Sequence, residues 1–186
     1  MRIEATKKLF TVDDYYKMAD AGILTEQDRT ELIEGEIIVI SPMGPHHAAI
    51  VARVTDLLLP LFKGKAHLRP QLPLRLNDFN EPQPDIVLLK ARQDFYSSKH
   101  PGPADVFLAM EISDSSLKYD RDVKLRIYAA ARIPEVWIAD LPGDSLLVYR
   151  DPSGKGYKSF LSFGRGDVLS CLKFTDVKLA VNDILG

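Results

Sequence analysis

The stretch "QPDIVLL" (residues 83–89) places an acid, Asp85, directly behind Pro84 and at the mouth of an apolar run, Ile86 to Leu89. Four apolar residues in succession, bounded by a turn signal, read as a strand buried on both faces. "VFLAMEIS" (106–113) repeats the arrangement, with Glu111 near the end of its run, and "EVWIAD" (135–140) supplies a third buried strand. Between the second and third, the polar knot "SDSS" suits a helix N-cap. A helix follows through "KLRIYAAARI" and halts before Pro134. Two buried strands, a helix and another buried strand imply an α/β core with helices on both faces of a sheet.

Upstream, "TVDDYYKMADAG" (11–22) opens with a capping-box pattern, Thr11 to Asp14, and stops at Gly22, so a short helix lies between. "ELIEGEIIVIS" (31–41) reads as two strands turning at Gly35. "GPHHAAIVARVTDLLLPLF" (44–62) is the best helix, with His47, Ile50, Val51, Val54, Leu57, Leu58 and Leu61 in helical period. "QLPLRLN" (71–77) alternates and reads as a half-exposed strand near an edge because of Pro73. The loop "ARQDFYSSKHPGPAD" (91–105) is long, and loops of that length are often functional. "SLLVYR" and "GYKSFL" form a hairpin that makes the sheet mixed, and "DVLSCLKF" and "VKLAV" read as short terminal strands.

The chain has 186 residues, so one domain over 1–186 is expected, and its 46% hydrophobic content supports a sizeable core. A net charge of -2 does not announce a nucleic-acid binder, although a local basic patch can hold phosphate on a neutral protein. The single cysteine, Cys171, excludes an internal disulfide and any Cys-rich zinc site. "MRIEATKKLF" lacks the apolar core of a signal peptide, and no apolar run is long enough to span a bilayer. A soluble cytoplasmic protein with no membrane partner is the expectation.

Neighbouring strands lie about 4.8 Å apart. If the Asp85 and Glu111 strands are antiparallel, the start of one meets the end of the other, and the two carboxylates can share a divalent cation. Mg²⁺ takes one or two carboxylates with waters and phosphate, and a backbone carbonyl such as that of Ile112 would add a ligand. The plainer readings are a turn aspartate after proline and a solvated glutamate at a strand end. Glu111, however, lies in an otherwise apolar strand, where an unpaired carboxylate is costly; a metal or a lysine would resolve that cost. Helical spacing puts Leu117, Arg121, Lys124 and Tyr128 on one face, bordering the apolar one, so that the Lys124 ammonium can reach the acids. The alternative is a solvated lysine on an ordinary amphipathic helix. His47 falls on the apolar stripe of its helix, where a histidine is more often a core or capping residue than a ligand. Glu31, Glu34 and Glu36 crowd the first hairpin, and alternation does not choose which one turns inward.

Together these segments resemble the PD-(D/E)XK nuclease superfamily and, within it, the Uma-type family of restriction endonucleases, formerly a domain of unknown function. "ELIEGEIIVISPMGPHH", "PQPDIVLL", "AMEISDSSLKYDRDVKLRIYAAARIPEVWIAD" and "LLVYR" are similar to its successive hallmarks, over about residues 10–185. The resemblance implies a restriction-endonuclease-like core of α-β-β-β-α-β order and a metal-dependent DNA endonuclease. Asp85 and Glu111 would hold Mg²⁺ or Mn²⁺. The superfamily's strand lysine would fall at position 113, which is Ser113 here, and the Uma-type lysine on the next helix matches Lys124. Glu31 resembles the family's acid ahead of the first hairpin, His47 its polar residue at the helix start, and Tyr128 an aromatic one turn beyond the lysine. DNA is the implied partner, and a homodimer is left open. The rival reading is a non-catalytic nuclease-like scaffold that binds nucleic acid or protein; the displaced lysine favours it, and the acid pair favours the enzyme.

Overall fold

The computed structural model describes residues 6–25 and 27–186. Residues 1–5, which head the stretch read as lacking a signal-peptide core, lie outside them. Helix α1 (Val12–Asp20) starts where the sequence says: the Thr11 hydroxyl accepts from the Asp14 N–H at 3.1 Å, and the Asp14 carboxylate accepts from the Thr11 N–H at 3.1 Å. Strands β1 (Thr30–Ile33) and β2 (Glu36–Val39) form an antiparallel hairpin. Its turn is Glu34–Gly35, with φ of 51° and 77°. Both central residues are left-handed, as a two-residue hairpin requires. At Gly35 a Cβ would also stand 2.8 Å from the Leu9 Cβ, so only glycine fits.

Helix α2 (Pro45–Phe62) leads into a six-stranded sheet of order β3-β4-β5-β6-β7-β8. Its members are β3 (Ala66–Pro70), β4 (Ile86–Lys90), β5 (Val106–Ser113), β6 (Glu135–Asp140), β7 (Ser145–Ser153) and β8 (Gly156–Gly164). All neighbours are antiparallel except β5 and β6, which are parallel. A parallel pair needs a crossover, and the helical segment between β5 and β6 provides it. That segment is not a uniform helix. It runs as α3 (Leu117–Tyr119), a π turn (Asp120–Lys124) and α4 (Leu125–Ala130). The short pair β9 (Val168–Leu169) and β10 (Leu179–Ala180) precedes α5 (Val181–Leu185).

One face of the sheet packs Ile86, Leu88, Met110 and Trp137 under α2 and α5. The other packs Val87, Leu89, Ala109 and Ile138 under α4 and beside β1. The buried apolar runs are therefore the central strands, covered on both faces as their continuous hydrophobicity requires.

The edge differs from the expectation. Residues 71–77 are not a strand; the sheet's edge is β3, at 66–70. Gln71 has a φ of 50°, which turns the chain out of the sheet. Leu74 and Leu76 then donate their N–H groups to Pro82 and Asn80 rather than to a sheet neighbour. Leu74 and Leu76 are buried but Leu72 is 42% exposed, so the alternation holds only in part. The terminal segment "VKLAV" likewise supplies just two strand residues before a helix starts.

Candidate active site

Register brings the two acids together. β4 and β5 run antiparallel with Ile86 opposite Met110, so Asp85 and Glu111 are the next residues out on either strand. Because side chains alternate along a strand, both acids fall on the α4 face, with Val87 and Ala109. Asp85 is fixed from three sides: the Ile112 N–H donates to it at 2.8 Å, Gln71 Nε2 at 3.0 Å, and His47 Nε2 lies 2.9 Å away.

Lys124 comes from the helix above. Its Nζ donates to Glu31 Oε1 at 3.0 Å and Glu111 Oε2 at 3.4 Å, and all of these groups are buried. The Tyr128 hydroxyl donates to the other oxygen of Glu111 at 2.5 Å. Glu31 also accepts from the Gln83 N–H at 3.0 Å. Asp120, buried one turn before Lys124, accepts from Ser113 Oγ at 2.7 Å and from Ser116 Oγ at 2.5 Å. The π turn explains who faces inward. A uniform 3.6-residue period places Arg121 beside Lys124 and Tyr128. The wider turn instead aims Asp120, Lys124 and Tyr128 at the sheet and leaves Arg121 exposed.

The electrostatics follow from this crowding. Burial lifts the Glu111 carboxyl well above the usual glutamate value, and Asp120, Asp85 and Glu31 push it the same way while Lys124 opposes. Burial alone would lower the Lys124 ammonium, but Glu111, Glu31 and Asp120 outweigh it and hold Lys124 protonated. Both groups keep protons more tightly than usual, as expected where carboxylates outnumber cations. Burial also acts to raise Asp85, yet His47, Ile112 and Gln71 together hold its carboxyl below the usual aspartate range. The Asp85 hydrogen bond in turn raises His47.

Asp85, Glu111, Lys124 and Glu31 line one cavity of about 420 Å³, with Arg29 and Tyr119 on its walls. The Tyr119 hydroxyl is buried there with no hydrogen-bond partner among the described residues. Among the described residues no three His, Cys, Asp or Glu side chains converge as a ready-made metal site. Two carboxylates in a cavity short of positive charge nevertheless fit a hard divalent cation that keeps several waters. The residues present thus suit Mg²⁺ or Mn²⁺, which Asp85 and Glu111 could hold.

Asp85, Glu111, Lys124, Glu31, His47, Ser113 and Tyr128, singled out in the sequence, lie at or beside this cavity. Asp85, Glu111, Lys124, Glu31 and Tyr128 make one network, His47 orients Asp85, and Ser113 holds Asp120. Glu34 and Glu36 do not join them. Both are exposed, bonded to Arg126 and Lys7. Gln71, Asp120 and Tyr119 belong to the site and were not anticipated. Gln71 was hidden in the misassigned strand, and Asp120 by the π turn.

A family model described as "Uma2: Putative restriction endonuclease" matches residues 12–182. No curated protein matches the chain. Among solved structures, a "putative nuclease belonging to DUF820" from Anabaena variabilis superposes with a TM-score of 0.74 at 18% identity, covering 95% of this chain and 97% of that one. At that identity the likeness speaks for the fold alone: a mixed sheet flanked by helices. Among the described residues no helix is long and apolar enough to cross a membrane. With 12–182 spanned by the family model and the fold matched along nearly its whole length, the chain belongs to the Uma2 restriction endonuclease family.

Proposed function

We propose that this protein is a metal-dependent endonuclease that hydrolyses phosphodiester bonds in DNA, with Asp85 and Glu111 holding Mg²⁺ or Mn²⁺. The observation that carries the reading is the meeting of Asp85, Glu111 and a protonated Lys124 in one cavity at adjoining strand ends. A divalent cation bound there would supply a water of lowered pKa and offset charge on the phosphate. The chain's own residues do the rest. Lys124 is a cation rather than a base, and its ammonium stabilises negative charge as it develops on a phosphoryl oxygen. Glu31, 3.0 Å from that ammonium, helps hold it in place. Tyr128 fixes the rotamer of Glu111, and His47 and Gln71 fix that of Asp85. Orientation by such partners is what keeps ligands productive.

The test is cleavage of supercoiled plasmid at low salt with Mg²⁺ or Mn²⁺, with and without chelator. Nicking that stops with chelator and is lost in Asp85→Ala supports the reading. Equal nicking by Asp85→Ala prepared identically marks contamination and defeats it. A second reading, a non-catalytic nuclease-like scaffold, is favoured by the Lys124 ammonium being already neutralised by two carboxylates. It predicts DNA retardation without cleavage, metal or no metal.

A further inference from the structure

The loop after β4 contains a turn that its sequence should avoid. Ser97 donates its N–H to the Asp94 carbonyl at 2.9 Å, closing a turn whose central residues are Phe95 and Tyr96. Their φ values are 49° and 61°. This left-handed pair is the province of Asn and Gly, and two bulky aromatics there are strained. Tyr96 explains how the strain is held. Its ring is buried, its hydroxyl donates to the Lys90 carbonyl at 2.8 Å, and the Arg92 guanidinium sits 4.8 Å over it. Phe95 has no such explanation. It is 70% exposed, and its only ring neighbour among the described residues is His67, 4.5 Å away and tilted by 31°.

Two residues beyond His67 on the same strand stands a cation with no carboxylate partner among the described residues. Arg69 is half-buried on β3, and its Nη1 is shut from solvent with no hydrogen-bond acceptor among the described residues. No described carboxylate lies within ion-pair range of it. A half-buried guanidinium with no anion among the described residues is costly, and a bound anion would offset that cost.

Both features share the face of the acids. His67 pairs with Leu89 and Arg69 with Val87, the strand positions that point toward α4. Gln71, next in the row, reaches Asp85. From His67 to Gln71 is four strand steps, about 13 Å. An exposed aromatic ring beside His67 and, two residues along the same strand face, a guanidinium with no described carboxylate partner, both in line with the candidate site, are what a nucleotide of an unpaired strand requires: a ring to stack on and a cation for its phosphate.

We infer that Phe95 and Arg69 form a binding surface for single-stranded nucleic acid flanking the scissile bond, with a base stacked on Phe95 and a backbone phosphate on Arg69. The inference rests on the nuclease reading for the words "flanking the scissile bond" alone; the surface itself is independent of catalysis.

The test is fluorescence anisotropy of a fluorescein-labelled single-stranded DNA of about ten nucleotides at low salt, with chelator present. Phe95→Asn suits the left-handed turn, so it keeps the fold and a melting temperature at or above wild type while removing the ring. It should weaken binding by about 5-fold or more, the scale of losing one stacked base, as should Arg69→Gln, whereas Phe95→Trp should bind as wild type. Wild-type affinity in a folded Phe95→Asn, or no binding by the wild type, overturns the inference. Metal-dependent hydrolysis of bis(p-nitrophenyl) phosphate, which has no flanking nucleotide, separates the two readings. Binding that depends on Phe95 in a protein that hydrolyses neither this diester nor plasmid DNA supports the surface and refutes the nuclease. Diester hydrolysis with oligonucleotide binding indifferent to Phe95 does the reverse.

Discussion

Two glutamates are buried in this sheet, Glu111 on β5 and Glu135 on β6, and their surroundings differ in kind. Glu135 is fully satisfied. One carboxylate oxygen accepts from Trp137 Nε1 at 2.9 Å and Arg150 Nε at 2.8 Å, and the other from the Leu172 N–H at 2.6 Å. It ties β6, β7 and the segment after β9 together. Glu111 faces a cavity, shares one lysine with Glu31, and has a carboxyl raised chiefly by burial, with Asp120, Asp85 and Glu31 pushing the same way. Burial of an acid therefore does not by itself mark a site; an acid whose partners leave negative charge over and space beside it does.

The comparison breaks first on stability. Glu135→Ala strands Arg150 and removes the acceptor for the Leu172 N–H, so unfolding by denaturant should show a loss of about 3–5 kcal/mol. A loss near zero would make Glu135 no staple at all. Next comes catalysis. Lys124→Met keeps the apolar stem and should cut plasmid cleavage roughly 10²-fold or more while circular dichroism stays native, the scale of losing one electrostatic donor. Undiminished cleavage would remove Lys124 from the machinery.

Glu111→Gln sharpens the contrast from the other side. Glu111 has a folded value raised above its unfolded one. Its contribution to stability is full below about pH 4.3 and fades as pH climbs through the folded value. Glutamine has no proton to lose and still accepts from Tyr128. The variant should therefore melt higher than wild type by roughly 2–4 °C near pH 8, and the gain should shrink toward pH 5. A variant that melts lower at every pH would show that the Lys124 contact outweighs the crowding.

The smallest effect concerns His47 and Asp85. His47 is raised, so its share is full below about pH 6.5 and lost as pH rises through its folded value. Asp85 is lowered, so its share is present above about pH 3.9 and lost on acidification. The pair is strongest between those limits. His47→Gln should flatten the fall in stability between pH 6 and pH 8 by under about 1 kcal/mol, read from melting curves.

What the sequence disclosed and what it hid have physical causes. Asp85, Glu111 and the third strand were legible because a polar residue at the end of a doubly buried strand breaks an otherwise continuous apolar run. Lys124 was legible from helical spacing, though the π turn that aims it is not, since no single residue in "KYDRDVK" signals an extra backbone step. That is why Arg121 was grouped with it and Asp120 was not. The edge strand was misplaced because "QLPLRLN" alternates more cleanly than "AHLRP". The deciding factor, a left-handed Gln71 held by Asp85, is a tertiary contact. Glu135 gave no signal as a staple, because its partners come from residues 137, 150 and 172.

The most direct test of the contrast between the two glutamates is calorimetric titration of Mn²⁺ into the wild type, Asp85→Ala and Glu111→Gln, with circular dichroism as the check on folding. Saturable Mn²⁺ binding by the wild type is expected, and it should disappear in both folded variants. Unchanged Mn²⁺ affinity in both would contradict it and leave Glu111, like Glu135, a structural acid.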